Sequence, residues 1–133
     1  MIAGVADTHA AISFLAGDPR LSVRAKTFIE DAARGRRKIV LSTISLVEVV
    51  YLVEKKRLSA TAFEDLRWAL ASPNHVLEEA TLTAGVAEAM RRVSRDEVPD
   101  MPDRIISATA VFLKVPLISR DGRIRTSSVP TIW

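Results

Sequence analysis

The chain has 133 residues and no cysteine, and its 48% hydrophobic and 26% charged residues are typical of a globular domain. This composition excludes an intrinsically disordered chain, and the lack of cysteine excludes a disulfide framework and a thiolate zinc site. The formal net charge of +3 permits a polyanionic partner without requiring one. The arginines cluster around residues 34–38, 91–95 and 120–125, which modestly favours contact with phosphate.

Neither a targeting segment nor a membrane span is predicted. The N-terminus lacks a basic region, and Asp7 and His9 interrupt its apolar run, so it does not resemble a signal peptide. The longest apolar stretch, residues 39–53, contains Glu48 and is too short to cross a bilayer. We therefore expect a soluble cytoplasmic protein with no membrane partner.

Short apolar runs alternate with helical patterns along the chain. Strands are predicted over residues 2–6, 38–42 and 115–119, with a weak strand over 75–78 and an edge strand over 129–133. Helices are predicted over 8–16, from the cap Ser22 to Gly35, over 45–56 and 61–70, from Thr81 or Thr83 to 93, and over about 101–114. This alternation predicts an α/β fold in one domain, residues 1–133, with a parallel sheet of four to five short strands and helices on both faces.

The stretch from Pro99 to Ala110 places two carboxylates at the start of an apolar helix. Proline is tolerated in a first helical turn, so Pro102 places the start of this helix near Asp100 or Met101. Asp100 is then a candidate cap, whereas Asp103 projects from the first turn. Capping requires only one of the two carboxylates, so the other one calls for a second explanation.

Four carboxylates interrupt apolar sequence where the predicted sheet would bring them together. The four are Asp7 after the first strand, Glu48 and Asp103 in the first turns of two helices, and Asp121 shortly after a late strand. All of them fall at the carboxyl edge of the predicted sheet, where ligands of parallel α/β folds bind. Each also has a structural explanation: Asp7 could cap a helix, the segment from Ser45 to Glu48 fits a capping box, and Asp121 fits a turn.

Carboxylates that converge in a partly apolar cleft raise one another's pKa values, and a bound cation relieves this repulsion. Oxygen ligands select a hard ion such as Mg²⁺, or Mn²⁺. We therefore interpret Asp7, Glu48, Asp103 and Asp121 as catalytic metal ligands. Together with the arginines, this centre indicates hydrolysis of a phosphodiester, in which the metal activates water and stabilises the leaving oxygen.

Residues that flank these carboxylates are assigned supporting roles. Thr8 and Ser119 could hydrogen-bond a ligand carboxylate or a water molecule beside the metal. Arg120 follows Ser119 directly and is a candidate substrate contact. His9 is expected to pack against or support the site rather than act as a general base, and His75 is expected to be structural.

The four acidic motifs resemble those of the PIN-domain family, and within it the VapC-type toxins of bacterial toxin–antitoxin pairs. The matching segments are Asp7-Thr8-His9-Ala10, Ser45-Leu46-Val47-Glu48-Val49, residues 103–110 and Leu117-Ile118-Ser119-Arg120-Asp121. Their order and spacing fit the family over essentially the whole chain. Two features depart from its pattern: Ser107 stands where alanine is more common, and no further acid follows Asp121 among residues 122–125.

The resemblance implies a fold, an activity and partners. The fold would be a single PIN-like domain, and the activity a Mg²⁺- or Mn²⁺-dependent endonucleolytic cleavage of RNA. By motif match, the metal ligands would be Asp7, Glu48, Asp103 and Asp121. A cognate antitoxin would neutralise the enzyme, which would often be a homodimer.

Two other functions are compatible with the sequence. A phosphatase of the haloacid dehalogenase type also has an aspartate after its first strand, but it needs a second one two residues later, where this chain has His9. A receiver-like or purely binding domain with an acidic pocket would have paired acids in its first loop and a lysine after a late strand, where this chain has Arg120. Divalent-dependent cleavage of RNA would separate the ribonuclease from both alternatives.

Overall fold

Five strands and seven α-helices make up the computed structural model, which describes residues 1–133. The strands are β1 (Ile2–Ala6), β2 (Lys38–Ser42), β3 (Leu77–Ala80), β4 (Leu117–Ile118) and β5 (Thr131–Ile132). The helices are α1 (Thr8–Ala16), α2 (Val23–Arg34), α3 (Thr43–Glu54), α4 (Ala62–Ala71), α5 (Ala84–Ala89), α6 (Met101–Leu113) and α7 (Gly122–Arg125), and a single 3-10 turn, Met90–Arg92, follows α5. These elements confirm the predicted α/β fold.

All strand pairs are parallel, and the strand order is β3-β2-β1-β4-β5. The chain therefore proceeds from β1 outward to β2 and β3 and then returns to the other side of β1, where β4 and β5 pair. A reversal of this kind opens a crevice at the carboxyl ends of the two central strands, β1 and β4. Asp7 lies at this crevice, since its backbone N–H donates to the carbonyl oxygen of Ile118 in β4 at 3.1 Å.

The helices cover both faces of the sheet, and each face has its own apolar core. On one face, buried side chains of α1, α2, α3 and α4 pack against strand residues such as Ile39, Leu41 and Ile118. On the other, α5, α6 and α7 pack against Val5 and Val40. Because side chains alternate along each strand, neighbouring residues of β2 serve opposite cores. The longest helix has 13 residues, and no helix is both long and apolar enough to cross a membrane.

The start of α3 differs from the prediction. The helix begins at Thr43, and Ser42 is its cap, with its side chain accepting from the N–H of Ile44 at 3.2 Å. The predicted start at Ser45 is therefore two residues late, and the capping box that Ser45 to Glu48 would fit is not formed, because Ser45 is already helical and fully buried. Glu48 consequently lies in the second helical turn rather than the first, and its side chain faces α1.

Three further local predictions need correction. The segment Thr61-Ala62-Phe63-Glu64 fits the capping-box pattern in sequence. In the structure Thr61 forms no such box with Glu64, since its backbone is already helical and its hydroxyl donates to Asp65 instead. The third strand spans Leu77–Ala80 rather than 75–78, because the His75 ring accepts the N–H of Leu77 and ends the preceding turn. After β4, Asp121 fits a turn in sequence, but in the structure it caps the short helix α7.

Candidate active site

An acidic cleft lies at the carboxyl edge of the sheet. We use this term for the carboxylates of Asp7, Glu48, Asp100, Asp103 and Asp121, whose charges act on one another. They come from four parts of the chain: the β1–α1 junction, the second turn of α3, the start of α6 and the segment after β4. The structure therefore brings together all four carboxylates that the sequence singled out, together with Asp100.

Asp7 is the most buried carboxylate of the cleft, with 9% of its surface exposed. It caps α1, because its Oδ1 accepts the N–H of Ala10 at 2.8 Å. Burial raises the pKa of Asp7 and the nearby charge of Asp121 adds to this, whereas hydrogen bonds from Ser119 and Ala10 lower the pKa. Capping and a role in the site are thus compatible, since one carboxylate serves both.

Glu48 is held by a hydroxyl from a neighbouring helix. Its Oε1 accepts from the Thr8 hydroxyl at 2.6 Å, and the Thr8 oxygen also lies 2.8 Å from the buried hydroxyl oxygen of Ser45. Burial raises the pKa of Glu48, while the hydrogen bond from Thr8 lowers it. The chain Ser45–Thr8–Glu48 fixes the carboxylate of α3 against the start of α1, and Ser45 is a member of this network that the sequence did not reveal.

Asp103 is the most strongly perturbed acid of the cleft. Burial, followed by the charges of Asp100, Asp121, Glu48 and Asp7, raises the pKa of Asp103 to about 7. Its carboxylate has no hydrogen-bond partner within the chain, in contrast to those of Asp7 and Glu48. A half-buried carboxylate surrounded by four others is held in its neutral form until the pH approaches 7, or until a cation offsets the repulsion.

Asp100 caps α6, as predicted, but it also belongs to the cleft. Its Oδ1 accepts the N–H of Asp103 at 3.1 Å, and Pro102 lies in the first turn. Its charge raises the pKa values of both Glu48 and Asp103. The cap and the cleft therefore share this residue, for which the sequence pattern offered only the capping role as a candidate.

Asp121 and Ser119 complete the cleft on the β4 side. Asp121 caps α7, because its Oδ1 accepts the N–H groups of Arg123 and Ile124 at 3.0 and 3.1 Å. The second carboxylate oxygen of Asp121 has no partner within the chain. The fully buried Ser119 accepts the N–H of Asp121 at 3.1 Å, and its hydroxyl lowers the pKa of Asp7, so it acts on both acids.

The donor chemistry of the cleft fits a hard divalent cation. Every candidate ligand is a carboxylate oxygen, and the acids raise one another's pKa values. The buried hydroxyl of Ser107, one turn after Asp103 in α6, has no hydrogen-bond partner within the chain either. In their present positions, no three or more acidic or histidine side chains are close enough together to bind one metal ion. The match to a divalent cation therefore rests on the type of donor atoms and on the repulsion between the carboxylates. The carboxylates are not already arranged around a metal position.

The remaining candidates lie at the rim of the cleft or away from it. His9 and Arg120 are exposed and line a cavity of about 160 Å³ beside α1, together with Trp133. His9 lowers the pKa values of Asp7 and Glu48 through its charge, which is a supporting role. His75 lies at the other end of the sheet, where its ring accepts a hydrogen bond from the backbone N–H of Leu77.

Replacing Thr8 with valine is expected to raise the pKa of Glu48 further. Valine keeps the shape of threonine but cannot donate the hydrogen bond that lowers this pKa. The loss should also cost about 1 kcal/mol of stability, because Ser45 and Glu48 are left with fewer partners. Carbon-detected NMR titration of the Glu48 carboxyl group measures the first effect and urea unfolding the second. Thr27→Val, on the exposed side of α2, is the matched control, and an unchanged Glu48 pKa in Thr8→Val would contradict the network.

Comparison with known proteins identifies the family. The PIN domain family model matches residues 5–128. Ribonuclease VapC22 of Mycobacterium tuberculosis is 30% identical over 130 residues, which cover 96% of this chain and 95% of that relative. The chain belongs to the PIN domain family, and its resemblance to VapC-type toxins is confirmed by this relative.

Two solved structures share the fold. The crystal structure of VapBC2 from Rickettsia felis bound to a DNA fragment from their promoter matches with a TM-score of 0.71 at 18% identity, over 98% of this chain and 97% of that one. A toxin–antitoxin complex from Klebsiella pneumoniae matches with a TM-score of 0.63 at 24% identity, over 93% of this chain and 92% of that one. At these identities the likeness establishes the fold alone.

Proposed function

We propose that this protein is a Mg²⁺- or Mn²⁺-dependent endoribonuclease and the toxin of a type II toxin–antitoxin pair. One observation carries the proposal: in a PIN-domain chain, carboxylates from the β1–α1 junction, α3, α6 and the segment after β4 act on one another in a single cleft. A Ribonuclease VapC relative at 30% identity supports the activity, and the two toxin–antitoxin complexes among the structural neighbours support an antitoxin as partner.

Asp7, Glu48, Asp103 and Asp121 would hold the ion. When bound, the metal supplies a Lewis acid for the phosphodiester and lowers the pKa of a coordinated water molecule. The chain's own residues then have separate tasks. Thr8 orients Glu48, Ser119 orients Asp7, and the buried walls of the crevice keep these carboxylates poorly solvated. Poor solvation strengthens the attraction of the cleft for a dication, because the charges are less screened than in water.

The exposed face of α3 supports the homodimer. Val47, Val50 and Tyr51 follow helical spacing and are 46%, 38% and 59% exposed, so α3 presents an apolar stripe to solvent. Apolar side chains that recur on one exposed helix face indicate a protein interface more readily than single scattered ones. We therefore assign self-association to α3, the same helix that carries Glu48.

Incubation of the purified protein with RNA tests the activity directly. Cleavage is expected with Mg²⁺ or Mn²⁺ and should be lost in EDTA and in the Asp7→Asn variant. Asp96→Asn, an exposed aspartate outside the cleft, is the matched control and should cleave like the parent. Equal cleavage by Asp7→Asn would overturn the assignment. Release of phosphate from a monoester without RNA scission would favour the phosphatase, and binding without any turnover would favour the receiver-like domain.

A further inference from the structure

A second polar cavity lies at the end of the sheet opposite the acidic cleft. It has a volume of about 520 Å³ and is lined by Arg36, Arg37, Lys38, Asn74 and His75 among others. These residues follow α2 and precede β3, so the cavity opens at the amino ends of β2 and β3. We call this cavity the basic pocket.

The positive charge of the basic pocket is not neutralised by the chain. No carboxylate lines the cavity. In the preceding turn Arg34 pairs with Asp31, whereas neither Arg36 nor Arg37 forms an ion pair. Two guanidinium groups without a carboxylate partner, side by side on one cavity, are therefore available to an external anion.

Lys38 builds the wall of the pocket. Its Nζ donates to the carbonyl oxygens of Pro73 and His75, at 2.8 and 2.5 Å, and so ties the turn before β3 to the start of β2. These two bonds fix the Lys38 ammonium in place, and both of their acceptors are neutral, so its full positive charge remains at the pocket. The wall is thus fixed before any ligand arrives, which lowers the entropy lost on binding.

His75 adds a neutral donor to the pocket. Its Nδ1 accepts the N–H of Leu77 at 3.0 Å, so a neutral ring must carry its proton on Nε2. Burial and the charge of Lys38 lower the pKa of His75, which keeps the ring neutral at pH 7. Arg36 is held in a left-handed backbone conformation, with φ at 55°, which fixes the turn that presents Arg37.

We propose that the basic pocket binds a phosphate group, supplied by inorganic phosphate, a mononucleotide or an RNA chain. Planar guanidinium groups match phosphate oxygens in a bidentate manner, and such charge-assisted bonds are about twice as strong as neutral ones. Without a bound metal the acidic cleft repels the same ligand. The two sites lie at opposite ends of β2, about 13 Å apart along a five-residue strand. The pocket is therefore a separate phosphate site and does not depend on the proposed ribonuclease activity.

The two histidines of the chain provide the experiment. Their ring signals are followed by NMR at pH 7 while inorganic phosphate is added, with chloride at matched ionic strength as a parallel titration. His75 lines the basic pocket, whereas His9 lies beside the acidic cleft and serves as an internal control. The NMR signals of the His75 ring are expected to shift saturably with phosphate but not with chloride, while the signals of His9 should not change.

Variants of Arg36 and Arg37 test whether the response of His75 to phosphate depends on the guanidinium groups of the basic pocket. Arg36→Asn with Arg37→Gln removes both guanidinium groups, and asparagine tolerates the left-handed backbone of position 36. This double variant should weaken phosphate binding at least about tenfold, because it removes both charged guanidinium donors that line the pocket. Arg24→Ala, on the exposed side of α2, is the matched control and should bind like the parent.

Separate titrations identify the source of the phosphate. Inorganic phosphate, a nucleoside 5′-monophosphate and a short single-stranded RNA are compared in the Asp7→Asn background, which prevents cleavage of the RNA. A response to the mononucleotide or to inorganic phosphate indicates a small-molecule site, and a response to RNA alone indicates a contact with its backbone. The proposal is overturned if none of the three shifts His75, or if the double arginine variant responds like the parent.

Discussion

Asp103→Asn is expected to reduce RNA cleavage by at least about a hundredfold, because even the residues that support metal ligands cost 10–100-fold when they are removed. Asparagine has the same shape but no charge, and the Asp103 carboxylate makes no hydrogen bond that the fold would miss. The folded state should be at least as stable above pH 7, since one ionised carboxylate no longer has to be held among four others. Single-turnover cleavage and urea unfolding measure the two effects.

Asp100→Asn is the matched control for this result. Asparagine caps helices as well as aspartate does, so the bond to the N–H of Asp103 should persist and α6 should begin at the same residue. The charge of Asp100 raises the pKa of Asp103, so its removal should lower that pKa from about 7 towards the usual range. Cleavage should stay near the parent's level. An equal loss of activity in both variants would show that Asp100 takes part in the chemistry as well.

Mg²⁺ is expected to stabilise the protein at pH 8 and to have little effect at pH 5. The pKa of Asp103 is about 7 in the folded protein and near 3.8 in the unfolded chain, so the folded state binds this proton more tightly. The stability due to this proton is fully present below pH 3.8 and is lost as the pH rises through about 7. The raised pKa values of Asp7 and Glu48 act in the same direction. A dication that binds the ionised cleft reverses this loss only where the carboxylates are ionised.

Thermal unfolding with and without Mg²⁺ measures this effect. At a metal concentration of 100 times Kd the stabilisation is about 2.7 kcal/mol, or roughly 10 °C in Tm for a chain of this size. Asp103→Asn should show a smaller fall of stability between pH 5 and pH 8 and a smaller response to the metal. The same Tm increase at both pH values, or in the variant as in the parent, would contradict a metal site in the cleft.

Elements that depend on local patterns could be predicted closely from the sequence. The first two strands and the first helix have the predicted bounds, because a buried strand reads as an apolar run and α1 is bounded by Asp7 and Gly17. The start of α6 also agrees, since Pro102 and Asp100 impose the first turn through their own covalent geometry and hydrogen bonding.

Helix starts that depend on neighbouring elements could not be predicted in this way. The helix predicted from Ser45 begins at Thr43 with Ser42 as its cap, because pairing of β2 with β3 holds Ser42 in an extended conformation at the end of the strand. Similarly, β3 is shifted by two residues because pairing with β2 sets Leu77 opposite Ile39. The start of α3 and the position of β3 therefore depend on the pairing of two strands that lie far apart in the chain.

A parallel α/β domain with acids at the ends of its strands could be predicted from local patterns, because alternating apolar segments and capping residues act over only a few positions. Which side chains meet depends instead on how the strands and helices pack. This packing joined Thr8 and Ser45 to Glu48, placed Asp100 within the charge of the cleft, and set Arg36 and Arg37 beside His75. Thr8 and Glu48, for example, are 40 residues apart in the chain. They meet because the order of strands in the sheet, rather than their order in sequence, sets which segment ends become neighbours.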